Sequence, residues 1–186
     1  MPSINKSRDE MPWLYYPRGN RVRVINSHLD GAGGGLPAED SVKRSNTFSS
    51  SASGSQTVSR SSVLSGSYEG WMAFDGDNID SSNNAWLSGG GFPQWLKIDF
   101  GAPQVIYCVK ASSFVGTAGR VSSFTIDSSD DDSTWTTRKT VTGYTWDGSQ
   151  TKQIFALDTP AAARYWRINC TAGTTRAGFV EVEFFS

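Results

Sequence analysis

Apolar and polar residues alternate in several short stretches from residue 56 onward. In QWLKIDFG, the residues Leu96, Ile98 and Phe100 fall on one face of an extended segment. The same period of two recurs in SFTIDSS, ARYWRINC and FVEVEFF. Because successive side chains of a strand point to opposite sides, each segment is predicted to be a β-strand with one face in a core and one in solvent.

The predicted core takes the apolar positions of these strands and of the loop before them. Its residues are Phe74, Leu96, Ile98, Phe100, Phe124, Ile126, Trp166, Ile168, Val182 and Phe184. Trp86, Trp95 and Trp135 are also expected in the core, because tryptophan is highly buried on average. Cys108 and Cys170 lie in similar apolar runs and are predicted to pack as small buried hydrophobes rather than to form a disulfide.

The order of these segments predicts an all-β fold. Many short strands with no helix of useful length favour an antiparallel β-sandwich or jelly roll. The chain has 186 residues, enough for one such domain and an appendage. We assign the sandwich to residues 51–186 and an extended N-terminal arm with a Gly/Ser-rich linker to residues 1–50.

The predicted arm carries four bulky residues in a row between two prolines. So many exposed aromatic side chains indicate docking on a partner, such as neighbouring subunits of a homo-oligomer or larger assembly. The residues predicted to bind that partner are Trp13, Leu14, Tyr15 and Tyr16.

The charge pattern disfavours two classes of partner. The net charge is −1, with 17 basic and 18 acidic residues that are scattered rather than clustered. No strong field therefore favours nucleic acid or an anionic membrane surface. No apolar run approaches the ~20 residues of a membrane span, and the N-terminal residues lack the apolar core of a signal peptide.

Catalytic motifs are not evident in the sequence. The single histidine, His28, lies in the predicted arm, and no nucleophile-elbow sequence accompanies it. The GAGGG stretch lacks the strand and helix that make a glycine-rich loop a phosphate site. We therefore expect no enzymatic activity.

The stretch AFDGDNIDSSNNAW gathers three aspartates in a few residues. Hard cations such as calcium take six to eight oxygen ligands, and an Asp-Gly turn supplies carboxylates and carbonyls together. The alternative is a turn in which Asp and Asn side chains cap their own backbone. The residues alone leave both interpretations open.

Five motifs in this order resemble the discoidin family, the coagulation-factor type C domains with a galactose-binding-like β-sandwich. They are AFDGD…W, PQWLKIDFG, R…FTIDSSDDDSTW, ARYWRINC and VEVEFF. The resemblance covers residues 56–186, and the family includes many bacterial carbohydrate-binding modules. It implies that SSDDDSTW is a hairpin turn with Asp132 at a left-handed position, and that Trp86 is a packed core residue.

The resemblance also implies a structural calcium ion between the acidic loop and the last strand. By position, its ligands would be the carboxylates of Asp75 and Glu181, the carbonyls of Met72 and Asp77, and Asp80. The SSNN segment looks like an insertion relative to the family, so either Asp80 or Asn84 can take the place of the family's threonine.

The family binds ligands with the loops at one end of its sandwich. Here these loops would be residues 66–71, 88–94, 113–120 and 172–179, which carry aromatic residues and arginines. The candidate ligand-binding residues are Tyr68, Trp71, Phe92, Phe114, Arg120, Arg176 and Phe179. An aromatic plane with a few hydrogen-bond donors suits a sugar ring. The histidine that often follows the family's loop tryptophan is replaced by Leu87.

These observations favour a non-catalytic glycan-binding module. The arm and the missing export signal suggest a bacteriophage virion protein that adheres to a host or surface through its sandwich. The alternatives are a capsid or tail decoration protein without sugar binding, and a secreted, extracellular bacterial carbohydrate-binding module.

Overall fold

The structure, a computed structural model, describes residues 42–79, 83–114, 116, 118–148 and 150–186. Its strands are β1 (Ala52–Ser53), β2 (Gln56–Arg60), β3 (Trp86–Leu87), β4 (Gln94–Ser113), β5 (Val121–Ser129), β6 (Thr136–Val141), β7 (Gln153–Gly173) and β8 (Gly178–Phe185). The predicted partner-binding residues, Trp13 to Tyr16, as well as His28 and Asp80, lie outside the described residues. Two short 3-10 turns cover Gly66–Tyr68 and Gly70–Phe74. Within the described ranges, no helix has the length and hydrophobicity needed to cross a membrane.

All strand pairs are antiparallel, and the predicted β-sandwich is confirmed. The order in the main sheet is β1-β2-β4-β7-β5-β6, and β8 pairs with β3 and β4. The register of β4 with β7 breaks between Asp99 and Gln104, where Gly101 has a φ of 75°. The first part of β4 pairs with β2 and the second part with β8. This bend lets the two longest strands contribute to both layers of the sandwich.

The predicted core is confirmed, because all ten of its residues are buried. Trp86 is buried as well, as are Cys108 and Cys170, which are free thiols. Aromatic side chains fill much of the space between the layers. Phe184, for example, has three aromatic neighbours, Phe74, Phe100 and Trp166, with ring centroids 5.9 to 6.4 Å away.

Two of the tryptophans assigned to the core are not in it. Trp95 and Trp135 are partly exposed on the outer face of the sheet. The Lys97 ammonium lies 5.3 Å from the Trp95 ring centroid, and the Arg167 guanidinium 4.1 Å from that of Trp135. Trp95 points outward because its strand neighbour Leu96 points inward, whereas Trp135 lies in the turn before β6 between two exposed threonines. Cation–π contacts, rather than the core, cover both rings.

The last strand, β8, departs from the predicted alternation. All eight of its residues are buried, including Glu181 and Glu183. The segment that precedes β1 pairs with the edge of β8, since Arg44 donates its amide hydrogen to the Phe184 carbonyl at 2.7 Å. The acidic loop covers Glu181, because Gly76 donates its amide hydrogen to Glu181 Oε2 at 3.2 Å. Lys43 reaches Glu183 at 3.1 Å.

Residues 42–50, which the sequence assigned to the arm, pack against the sandwich. Val42 and Ser186 exchange two main-chain hydrogen bonds of 3.0 Å. Phe48 is buried and meets Phe74 edge-to-face, with ring centroids 5.9 Å apart. This end of the predicted arm therefore belongs structurally to the sandwich, and the remainder stays a prediction.

The acidic hairpin has the geometry that the sequence predicted. Asp132 has a φ of 59°, in the left-handed region that aspartate tolerates better than most residues. Asp131 accepts the amide hydrogens of Ser133 and Thr134 at 2.9 and 2.7 Å, and these bonds hold the pKa of its carboxyl far below its usual range. These aspartates thus shape a turn.

Candidate functional site

Several loops meet at one end of the sandwich, because strands begin or end there together. β4 starts at Gln94 opposite Cys170 of β7, and β8 starts at Gly178 opposite Leu87 of β3. We call this end the rim, and its loops are residues 62–68, 87–93, 114–120 and 173–178.

Main-chain hydrogen bonds join two of the rim loops directly. Thr174 donates its amide hydrogen to the Arg120 carbonyl at 2.9 Å, and Arg176 donates to the Ala118 carbonyl at 3.0 Å. The two arginines therefore have fixed backbone positions on adjacent loops. A surface held in this way loses little entropy when a ligand binds.

Serine and glutamine side chains tie the other two loops together. Gly89 donates its amide hydrogen to the Ser62 hydroxyl at 3.1 Å, and that hydroxyl donates to Gln94 Oε1 at 2.6 Å. Leu64 donates its amide hydrogen to the Leu87 carbonyl at 2.8 Å. Sequence reasoning missed Ser62 and Gln94, because nothing distinguishes them among the many polar residues of the chain.

The Phe92 ring lies against the backbone of Gly173. A Cβ at position 173 would be 2.5 Å from the ring Cζ and 2.2 Å from the Arg120 carbonyl oxygen, so only glycine allows this approach. Phe92 is partly buried and packs against the core with one side. The ring is therefore held in place beside Arg120 at the rim.

Two further predicted aromatic residues form a pair. Tyr68 and Phe114 meet edge-to-face with ring centroids 6.2 Å apart, and both are partly exposed. Trp71, in the following 3-10 turn, is partly buried against the core. The rim thus offers aromatic surface from three loops.

Phe179 is not available to a ligand, and its assignment as a rim residue is wrong. Its side chain is fully buried and stacks on Trp86 at 6.4 Å, and Phe124 and Trp146 meet it edge-to-face. The reason is register, because Phe179 pairs with Trp86 on the inner face of β8. Trp146 is a core residue that the sequence analysis did not identify.

The two predicted rim arginines bracket the surface. Arg176 Nη1 donates to the Gly89 carbonyl at 3.3 Å and so spans two loops, while Arg120 lies at the end of the next loop. Both side chains are partly exposed. A guanidinium has five N–H donors, so the rim carries directional donors beside its aromatic rings.

The acidic loop and β8 meet as the ion hypothesis requires. Gly76 donates its amide hydrogen to Glu181 Oε2 at 3.2 Å, although 105 positions separate the two residues. Glu181 Oε1 is buried and has no hydrogen-bond partner. Asp75 Oδ1 accepts the amide hydrogen of Asp77 at 2.8 Å.

Electrostatics at this loop are unfavourable for ionised carboxylates. Burial raises the pKa of Glu181 to about 8 against the attraction of Lys43 and Lys152, and repulsion from Glu183 and Asp75 adds to the rise. Burial also raises the pKa of Asp75. Neighbouring carboxyl groups with raised pKa values and an orphaned oxygen fit a hard cation, which would neutralise them.

Two other predicted ligands, Met72 and Asp77, were assigned through their carbonyls and lie within three positions of Asp75. Asp77 Oδ2 accepts a hydrogen bond from Asn84 Nδ2 at 2.7 Å, and the Met72 side chain is buried. Among the residues with described positions, no three acidic, histidine or cysteine side chains gather as a ready metal cluster. Asp80 lies outside the described residues, so its role as a ligand stays a prediction.

Comparisons with known proteins identify relatives of the sandwich. The sequence model of the F5/8 type C domain matches residues 51–184. Chitosan-binding module 1 of a chitosanase/glucanase from Paenibacillus sp. IK-5 is 30% identical, with a TM-score of 0.57 over 71% of this chain and 96% of the module. A comparison with curated proteins finds no match.

Two solved structures with lower identity share the fold. The family 32 carbohydrate-binding module of Clostridium perfringens NanJ, solved with galactose, is 19% identical, with a TM-score of 0.58 over 71% of this chain and 94% of that one. The family 32 module of AlyQ, solved with 4,5-unsaturated mannuronic acid, is 23% identical, with a TM-score of 0.56 over 69% of this chain and 93% of that one.

Proposed function

The chain belongs to the F5/8 type C domain family, and from this membership we propose that it is a non-catalytic carbohydrate-binding module. The observation that carries the proposal is the rim, where four hydrogen-bonded loops present aromatic rings and two arginines at one end of the sandwich. A sugar ring has an apolar face and a fringe of hydroxyl groups. Aromatic rings and guanidinium groups can contact both parts at once.

The relatives suggest which sugars to test. By their descriptions, one binds chitosan and others were solved with galactose or a mannuronic acid derivative. An array that contains these sugars, with the full chain as the probe, covers the neutral, basic and acidic classes.

We predict that Tyr68→Ala weakens glycan binding about fivefold without lowering the melting temperature much, since losing an aromatic contact costs on the order of 1 kcal/mol. Tyr107→Ala is the matched control. Tyr107 is 49% exposed on β4, next to Cys108, which pairs with Phe185 at the other end of β8. Isothermal titration calorimetry with the best array ligand measures both variants. Equal binding by wild type and both variants would place the ligand elsewhere and favour the structural decoration role.

We also propose a structural calcium ion at the acidic loop. Glu181 and Asp75 would hold it, with Asp77, Asp80 and the Met72 carbonyl as further ligands. The buried, unpartnered Glu181 oxygen supports this proposal. The ion would neutralise the carboxylates and join the loop to β8, and so stabilise the folded chain by mass action.

Attachment through the N-terminal residues remains a further proposal, and with it a location in a bacteriophage particle or, alternatively, an extracellular role. It rests on the sequence, chiefly on Trp13 to Tyr16. Because residues 42–48 pack on the sandwich, deletion of residues 1–41 is the appropriate test. The truncated protein should keep its melting temperature and glycan binding but lose co-assembly in size-exclusion chromatography with light scattering. Unchanged assembly would contradict the proposed anchoring role.

A further inference from the structure

The rim carries a net positive charge, although the whole chain has a net charge of −1. In the sequence of its four loops, the only charged residues are Arg120 and Arg176. The next acidic residue along the chain is Glu69, which forms an ion pair with Arg60, with Arg60 Nη2 2.5 Å from Glu69 Oε2. These four loops therefore contribute two positive charges and no carboxylate. The loop between β6 and β7 lies beside them, since Trp146 Nε1 donates to the Val121 carbonyl at 2.6 Å, and it carries the exposed Asp147.

The two arginines lie on adjacent loops, so their positive charge is concentrated in one part of the rim. The loops that hold Arg120 and Arg176 are joined by main-chain hydrogen bonds, from Thr174 to the Arg120 carbonyl and from Arg176 to the Ala118 carbonyl. Arg176 also reaches the Gly89 carbonyl, so it faces the loop that carries Phe92. The Phe92 ring, the Arg176 guanidinium and the Arg120 backbone thus lie side by side at the rim.

We propose that this rim selects an acidic glycan, one whose sugar rings carry carboxylates. The inference rests on the proposed carbohydrate-binding function and adds the class of ligand. A carboxylate accepts two parallel hydrogen bonds from a guanidinium, and such charge-assisted bonds are about twice as strong as neutral ones. A basic glycan such as chitosan would bring its ammonium groups toward two arginines, and like charges brought together weaken binding.

Three oligosaccharides of equal length separate the possibilities in calorimetric titrations at about pH 6, where chitosan amines are charged. They are a hexuronate oligosaccharide, a chitosan oligosaccharide and its neutral N-acetylated form. We expect the uronate to bind about tenfold more tightly than the neutral sugar, and chitosan to bind most weakly. Uronate affinity should fall as salt rises from about 0.05 to 0.5 M, because salt screens exposed charges.

Charge-neutral variants test whether the arginines cause the preference. Arg120→Gln and Arg176→Gln should each lower uronate affinity about threefold, so that together they remove the tenfold preference, and should leave neutral-sugar affinity within about twofold. Arg44→Gln is the control, because Arg44 is exposed beside Ser186, after the far end of β8, and carries the same charge. Thermal melts of all variants exclude unfolding as the cause.

The possible results distinguish the preference for acidic glycans from the proposed carbohydrate-binding function. Equal affinity for the three sugars, or tighter binding of chitosan, would overturn the acidic preference while the carbohydrate-binding function stands. A uronate preference that survives both rim substitutions would assign the selectivity to other residues and refute the inference. Binding to none of the sugars would overturn the inference and the proposed function together.

Discussion

Glu181→Gln is expected to stabilise the cation-free protein at about pH 8 and to change its stability little at about pH 5. The Glu181 side chain is fully buried, and one of its oxygens has no hydrogen-bond partner. Ionising this group in the folded protein is therefore costly. Glutamine keeps an acceptor for the Gly76 amide hydrogen but carries no charge.

The direction of the pH effect follows from the pKa shift. Burial raises the pKa of Glu181 from 4.5 to about 8. Between these values the unfolded chain has released the proton that the folded chain retains, so the free energy of unfolding falls as pH rises. Each pKa unit corresponds to about 1.4 kcal/mol, so the full penalty is roughly 5 kcal/mol above pH 8.

A cation can remove this penalty by taking the place of the proton. With chelator, wild-type protein should melt at a lower temperature at about pH 8 than at about pH 5, and added calcium should restore the loss. At about 100 times its Kd, calcium would contribute about 2.7 kcal/mol. Glu181→Gln and Asp75→Asn should both lack the calcium response in differential scanning calorimetry.

Glu183→Gln is the matched control, two residues along the same strand. Although burial opposes it, hydrogen bonds from Lys152 and Lys43 hold the pKa of Glu183 below its ordinary value. Its contribution to stability is present above the ordinary pKa and is lost as pH falls through the folded pKa. This variant should therefore be destabilised at about pH 8. If both glutamine variants shift the melting temperature in the same direction, the assigned ionisation states are wrong.

The fold was predictable because the apolar pattern of most strands has a strict period of two. Leu96, Ile98 and Phe100 all point inward, as do Trp166 and Ile168. The pattern failed in β8, where Glu181 and Glu183 alternate with apolar residues and are nevertheless buried. Alternation shows which residues share a face, but it does not show whether another segment covers the polar face.

The segment that pairs with the edge of β8 could not be recognised from its composition. Residues 42–50 lie beside a Gly/Ser-rich stretch and have no strand periodicity, so they were assigned to the arm. Their contacts with the core and with the last strand join residues distant in sequence, such as Phe48 with Phe74 and Val42 with Ser186. The composition and periodicity of a short segment do not reveal such contacts.

The predicted loops do meet at one end of the sandwich, but not every side chain assigned to them is exposed there. Loop positions follow from strand order, so Phe92, Arg120 and Arg176 lie where the sequence places them. Phe179 was misassigned because it stands at a loop boundary, and a shift of one position in a strand decides which face a side chain takes. Only the pairing of Phe179 with Trp86 fixes that choice.

Trp166→Ala is expected to lower the free energy of unfolding by about 3–5 kcal/mol, the usual cost of truncating a large aromatic residue in a core. Trp166 is fully buried on β7, where it pairs with Ile98 of β4 and Ser128 of β5. Its indole nitrogen donates to the Ala163 carbonyl at 3.0 Å. Alanine would leave a cavity between the layers as well as an unpaired carbonyl, and the central strand has no freedom to close it.

The loss is large because domains of this kind are stable by only about 5–15 kcal/mol in total. Urea unfolding followed by circular dichroism measures the loss in free energy of unfolding. If the slope of this free energy against urea concentration is the same for wild type and variant, both proteins unfold to similar states. Trp135→Ala is the matched control. Its ring is partly exposed and stacks on Arg167, so we expect a loss of only about 1 kcal/mol. A Trp135 effect as large as that of Trp166 would contradict the assignment of Trp135 to the outer face and of Trp166 to the centre of the core.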